Sequence, residues 1–197
     1  MGILKLNQGH LARRKIIGVN LLNKKLSIKK KILISFLIIL VIGFLIPEKL
    51  IIPIKGASSS DWNHNTFWYE PWGKSGVHKG IDIFGTKGQE LISSSKGIVV
   101  YTGKFALGGN VVVVLGPKWR FHYYAHLDSI STDSFSLVSA GEKIGLVGDT
   151  GNAKGKPPHL HYSIVTPFPY FWRADLSTQG WKKMFFLNPG GKLIGDF

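Results

Sequence analysis

The chain is 197 residues long, with 44% hydrophobic residues, no cysteine and a formal net charge of +14. That length suits one domain of ordinary size with an appendage, and the lack of cysteine excludes disulfides, thiolate metal ligands and a thiol nucleophile. The charge is unevenly spread: residues 1–57 hold eleven Lys/Arg against the single Glu48, whereas residues 58–197 hold fourteen against ten acids. A nucleic-acid protein would carry its basic stripe on the folded part, so no nucleic-acid partner is expected.

Residues 1–31 read as a basic segment on the cytoplasmic side. They lead through Lys29-Lys30-Lys31 into Ile32–Ile46, a run without a charge, closed by Pro47-Glu48-Lys49. As a helix that run spans about 22 Å, short of the roughly 30 Å of a hydrocarbon core, and Leu50-Ile51-Ile52 can extend it. Residues 32–52 are therefore expected to be a single transmembrane signal-anchor, with the N-terminus in the cytoplasm because the lysines and arginines precede it. The alternative is secretion after cleavage of a signal peptide near Ala57. Residues 53–66, with Pro53, Gly56 and Ser58-Ser59-Ser60, read as a linker.

From residue 67 to 197 the pattern is β-rich. Strands are expected at 81–84, 97–101, 111–115, 120–127, 143–147 and 161–165, separated by turn chemistry such as Gly108-Gly109-Asn110 and Gly148-Asp149-Thr150-Gly151-Asn152. No convincing helical period follows the anchor, and Pro167, Pro169 and Pro189 argue against long regular elements near the C-terminus. The fold class is mostly β, a compact antiparallel β-sheet domain after one N-terminal helix.

Three signals carry chemistry. His78-Lys79-Gly80-Ile81-Asp82 offers an imidazole and a carboxylate on one side of an extended segment. In His159-Leu160-His161 the two histidines point to one face of a strand while Leu160 turns inward. Two imidazoles and a carboxylate make a three-ligand zinc site with an open fourth position. Tyr123-Tyr124-Ala125-His126-Leu127 adds His126, whose parity groups it with Tyr124 and His122, so His122 is a candidate to line the same groove. A spare imidazole beside a metal is what hydrolysis uses as a general acid or base. His10, His64, Asp128, Asp133, Asp149 and Glu90 read as surface or turn residues, and Ser93-Ser94-Ser95 lacks the context of a nucleophile.

In this order the signals resemble the lysostaphin/LytM-type zinc metalloendopeptidases of bacterial cell walls. The resemblance runs through His78–Ile83, Gly97-Ile98-Val99, Gly109–Val113, Tyr124–Leu127, Gly141–Gly145, Gly148–Gly151 and His159–Tyr162. It implies one zinc ion per chain held by His78, Asp82 and His161, with His126 and His159 as the catalytic pair. It further implies an endopeptidase acting on the stem peptides of peptidoglycan through a zinc-activated water, and the anchor read from residues 32–52 would hold it on the inner membrane with its domain in the periplasm or cell-wall space. A non-catalytic activator of another wall hydrolase and a secreted peptidase acting on a protein are the alternatives. Trp72-Gly73-Lys74-Ser75 departs from the family, lying where many relatives carry an arginine after a phenylalanine-glycine pair. The aromatic stretch with Phe168, Tyr170, Phe171, Trp172 and Trp181 is a second departure: a substrate wall, a membrane contact or a satellite hydrophobic cluster.

Overall fold

A computed structural model describes residues 26–195. Most of the expected cytoplasmic segment, and His10 within it, lies outside the described residues. The chain divides into two units, residues 1–42 and 43–197.

The first helix, α1 (Ile28–Leu45), opens with Lys29, Lys30 and Lys31, and its apolar side chains are exposed. It ends before Pro47, which cannot continue a helix. The expected span over 32–52 is therefore not formed, and no helix among the described residues is long and apolar enough to cross a membrane. Its charge-free part, residues 32–45, is only about 21 Å long. Residues 50–52 do not prolong it: the Ile51 N–H donates to the Ser94 carbonyl, and Leu50 and Ile52 pack on the domain core.

The expected linker is likewise folded. Ile54 and Trp62 are buried in the core, and Ile54 bridges Leu91. Apolar residues among the small and polar ones were the signal for this, and they outweigh the local turn chemistry because burying them removes large apolar surfaces from water.

Ten strands follow: β1 (Ile81–Phe84), β2 (Glu90–Ile92), β3 (Gly97–Phe105), β4 (Gly109–Leu115), β5 (Phe121–Leu127), β6 (Ser129–Ile130), β7 (Leu137–Val138), β8 (Lys143–Leu146), β9 (His159–Val165) and β10 (Phe186–Leu187). The main antiparallel sheet has the order β1-β9-β5-β4-β3-β7, with β10 also on β9, and a small sheet runs β2-β8-β6. Alternation builds the layers. Ile81, Ile83, Val112, Val114, Tyr124, Leu160, Tyr162 and Ile164 join Leu91 of β2 and Ile144 of β8 in one buried cluster. The opposite face of β1, β5 and β9 is left to line a groove. A short helix, α2 (Pro189–Ile194), closes the chain, where no helix was expected. Its start is encoded locally: the Asn188 side chain accepts from the Gly190 N–H, and Pro189 occupies the first turn.

His122 corrects the parity argument. It is fully buried on the core face, its Nδ1 2.7 Å from the Tyr162 hydroxyl, and does not line the groove. Beside it lies a buried ion pair, Arg120 with Glu48, and Arg120 also donates to the Tyr170 hydroxyl at 3.3 Å. Glu48 thus ties the segment after α1 into the domain.

Removing one partner of such a pair leaves the other charge buried and uncompensated, so Glu48→Ala is expected to cost about 3–5 kcal/mol in urea unfolding. An unchanged midpoint would show that the pair does not hold this segment. Burial, with the charges of Arg120 and Lys192 added, pushes the His122 imidazole down from 6.5 to about 3. Below pH 6.5 the unfolded chain therefore takes up a proton that the folded chain refuses. The His122 contribution is complete above that pH and is lost progressively as pH falls toward 3. Thermal midpoints measured across this window should fall more steeply for the native chain than for His122→Gln.

Candidate metal and catalytic site

Strand register assembles the site. Antiparallel pairing of β1 with β9 sets Asp82 opposite His161 and Phe84 opposite His159, while β5 sets Ala125 opposite His161. His78 approaches from the loop before β1 through Gly80, where a Cβ would lie 2.5 Å from both the Tyr162 carbonyl and Ser163 Oγ. Only glycine allows that approach.

His126 arrives differently from the way strand parity implies. Asn110 pairs with Leu127 and Val112 with Tyr124, so Val111 faces two residues, Ala125 and His126, across a bulge. His126 takes a left-handed φ of +69°, and both it and Ala125 line the groove. The strained backbone is held by the His126 N–H donating to the Gly108 carbonyl at 2.8 Å.

Three potential ligand atoms converge. His78 Nε2 lies 3.0 Å from Asp82 Oδ1 and 3.1 Å from His161 Nδ1, and His161 Nδ1 lies 2.8 Å from Asp82 Oδ1. The His78 Nδ1–H donates to the Thr66 carbonyl at 3.0 Å, so in the neutral ring Nε2 presents a lone pair. His161 Nε2 is 3.0 Å from Ser163 Oγ, which leaves Nδ1 for the cluster. Tetrahedral zinc with bonds of about 2.0–2.1 Å separates its ligands by roughly 3.3 Å, close to these spacings. Lone pairs aimed at one point need a cation between them, and the donor set fits zinc. His78, Asp82 and His161 could hold a metal ion.

Burial opposes ionisation of Asp82, but at acid pH, where His161 and His78 are protonated, hydrogen bonds and positive charge from them prevail and hold its carboxyl well below the usual range. His161 is shifted down because burial outweighs its interaction with Asp82.

His126 and His159 face this cluster. Their ring centroids are 5.1 Å apart, and His159 Nε2 lies 3.8 Å from Asp82 Oδ2. Each has its Nδ1 on a backbone carbonyl at 2.8 Å, Thr150 for His126 and Pro157 for His159. These bonds fix the tautomer and leave both Nε2 atoms available. Burial, then repulsion from His161 and His159, pushes His126 down to about 4, so it is neutral and able to accept a proton at neutral pH.

All five residues singled out in the sequence thus meet at one groove of about 710 Å³. Ser163 was missed, and Trp72 was singled out only as part of a departure from the family. Ser163 shares a strand face with His161 two positions away, a parity that could have found it. The Trp72 indole stacks on the His78 ring at 4.0 Å and 19°, which no spacing reveals. Asp128 and Asp149 pair with Lys87, as surface residues.

A two-histidine, one-carboxylate cluster opening from an antiparallel sheet, with two more imidazoles over it, defines the metallopeptidase class of β domain. Residues 76–168 match Peptidase family M23, and the chain carries an M23 peptidase domain. It is 38% identical over 97 residues to the murein hydrolase activator NlpD of Escherichia coli strain K12, covering 48% of this chain and 25% of that protein. With the peptidoglycan DD-endopeptidase ShyA of Vibrio cholerae it is 36% identical over 88 residues, 45% of this chain and 20% of that one. The catalytic domain of lysostaphin from Staphylococcus simulans superposes with a TM-score of 0.51 at 26% identity, over 63% of this chain and 85% of the domain. The chain spans a quarter or less of the length of these two sequence relatives.

Ser163→Ala is expected to weaken zinc binding about 10–100-fold, because the residue behind a ligating imidazole orients it. Competition against a chromophoric chelator measures this. His161→Ala should abolish binding, and equal affinity in both variants and the native chain would sink the ligand assignment.

Proposed function

We propose that this protein is a zinc-dependent endopeptidase that hydrolyses peptide cross-links of peptidoglycan. The observation that carries this reading is the pair His126 and His159, both tautomer-fixed by backbone carbonyls and both facing the three-ligand cluster. Peptidoglycan as substrate follows from the M23 family and from relatives such as ShyA.

Zinc, when bound by His78, Asp82 and His161, would supply Lewis acidity that polarises a carbonyl and makes water more acidic. The protein's own groups do the rest. His126 Nε2, unprotonated at neutral pH, is placed to take a proton from the attacking water. His159, hydrogen-bonded at Nδ1, directs its Nε2 toward the developing oxyanion or the leaving amine. The groove walls, with Tyr123, Phe121, Val165 and Phe186, exclude water from the chain on either side of the scissile bond.

A second reading is supported by the 38% identity to NlpD: the same groove would bind a wall component and act as an activator without cutting. The complete set of five side chains favours catalysis.

The domain is proposed to work outside the cytoplasm, where peptidoglycan lies, with the exposed apolar side chains of α1 held in lipid below the wall. Release by cleavage near Ala57 is disfavoured, since Glu48 and Ile54 upstream are buried parts of the domain. Fractionation decides between these: recovery of the intact chain in the soluble fraction alone would refute membrane attachment.

The full chain in detergent, loaded with zinc, should release muropeptides from isolated walls with loss of cross-linked dimers. His126→Ala should keep zinc and lose about 10²–10⁴-fold in rate. Zinc-loaded protein that binds walls and cuts nothing would favour the activator.

A further inference from the structure

Between β9 and β10 the chain makes an excursion over residues 166–185, built from two 3-10 turns, Phe171–Arg173 and Gly180–Phe185, that pack on each other. Its base is firmly seated. Phe168 meets Phe44 edge to face at 4.9 Å, Tyr170 packs on the core, and the Arg173 Nε–H donates to the Lys183 carbonyl at 3.3 Å. Its tip is bare: Phe171 is 71% exposed, Trp172 78%, Trp181 57% and Leu176 completely.

Three roles were open for this aromatic stretch. None of these four side chains lines the groove, so the tip is not a substrate wall. Nor is the tip a satellite cluster: Phe168 and Tyr170 pack below it and Trp172 meets Tyr170 edge to face at 5.2 Å, but Phe171, Leu176 and Trp181 face solvent. Large exposed apolar groups on a rigid base mark an interaction site.

The surrounding charge identifies the partner. Arg120 is neutralised by Glu48 and Lys183 by Asp175, whereas Lys118, Arg173, Lys182 and Lys192 form no ion pair among the described residues. Lys182 Nζ sits 5.5 Å over the Trp181 ring. Burial lowers the Lys192 ammonium pKa, and Arg120, Lys118 and Arg173 lower it further against the opposing pull of Glu48. Tryptophan and phenylalanine beside unpaired lysine and arginine is the composition of a lipid-interface contact. The base of the excursion also packs on Phe44, at the end of the apolar stretch of the sequence.

We propose that the tip of this excursion docks on the headgroup layer of an anionic phospholipid bilayer. Phe171, Trp172, Leu176 and Trp181 enter the apolar boundary while the basic side chains meet phosphates. This contact is separate from the zinc chemistry and from attachment through α1, and it would fix the orientation of the domain on the membrane.

The test uses the full chain with vesicles of phosphatidylglycerol and phosphatidylcholine whose acyl chains carry bromine near the headgroup. Bromine quenches tryptophan only at short range, so it reports insertion of the tip whether or not α1 holds the protein on the vesicle. The native chain should be quenched, less so in pure phosphatidylcholine, and Trp172→Phe/Trp181→Phe should lose most of the quenchable fluorescence while still cosedimenting. Equal quenching of both proteins would overturn the proposal, as would no quenching of either. Quenching independent of lipid charge would overturn the headgroup contact.

Discussion

The site depends on three electron-pair donors held about 3 Å apart with their lone pairs facing. His78 Nε2, Asp82 Oδ1 and His161 Nδ1 repel one another unless a cation or proton lies between them, so the fold must hold them together against that repulsion. It does so with antiparallel register: four consecutive pairs between β1 and β9 fix Asp82 against His161, and β5 locks β9 from the other edge. A one-residue slip would turn Asp82 to the core and Ile81 to the groove. The buried Ile81, Ile83, Leu160 and Tyr162 forbid that slip, which makes the hydrophobic core on one face the guarantor of the cluster's geometry on the other.

Residues whose role is set by period and chemistry were legible from sequence. Asp82, His159 and His161 sit on strands that alternate cleanly, and β1 has the expected boundaries. What was not legible depends on contacts between distant segments. Strand parity put His122 with His126; a bulge opposite Val111 separates them, sending His122 to Tyr162 and His126 to the groove. Parity arguments fail wherever a strand contains a left-handed residue, and nothing in Tyr124-Ala125-His126 announces one. The apolar run and Pro47 at its end were visible, but the folding of residues 50–62 onto the domain follows from Ile54 and Glu48 finding partners up to some seventy positions away.

The partners chosen for the two remaining imidazoles set their chemistry. A carboxylate behind an imidazole fixes its tautomer but also raises its affinity for a proton. His126 and His159 are instead held by the carbonyls of Thr150 and Pro157, which fix the tautomer with a dipole and add no negative charge. Asp82 is the only carboxylate among the five, and it lies against His78 and His161 rather than behind His126 or His159. Burial and two neighbouring imidazoles then keep His126 unprotonated across the neutral range. A divalent cation would add positive charge to the same space and disfavour protonation further. On the proposed endopeptidase reading, a proton taken up by His126 would be held weakly and would pass readily to a leaving amine, which is the behaviour a hydrolytic shuttle needs.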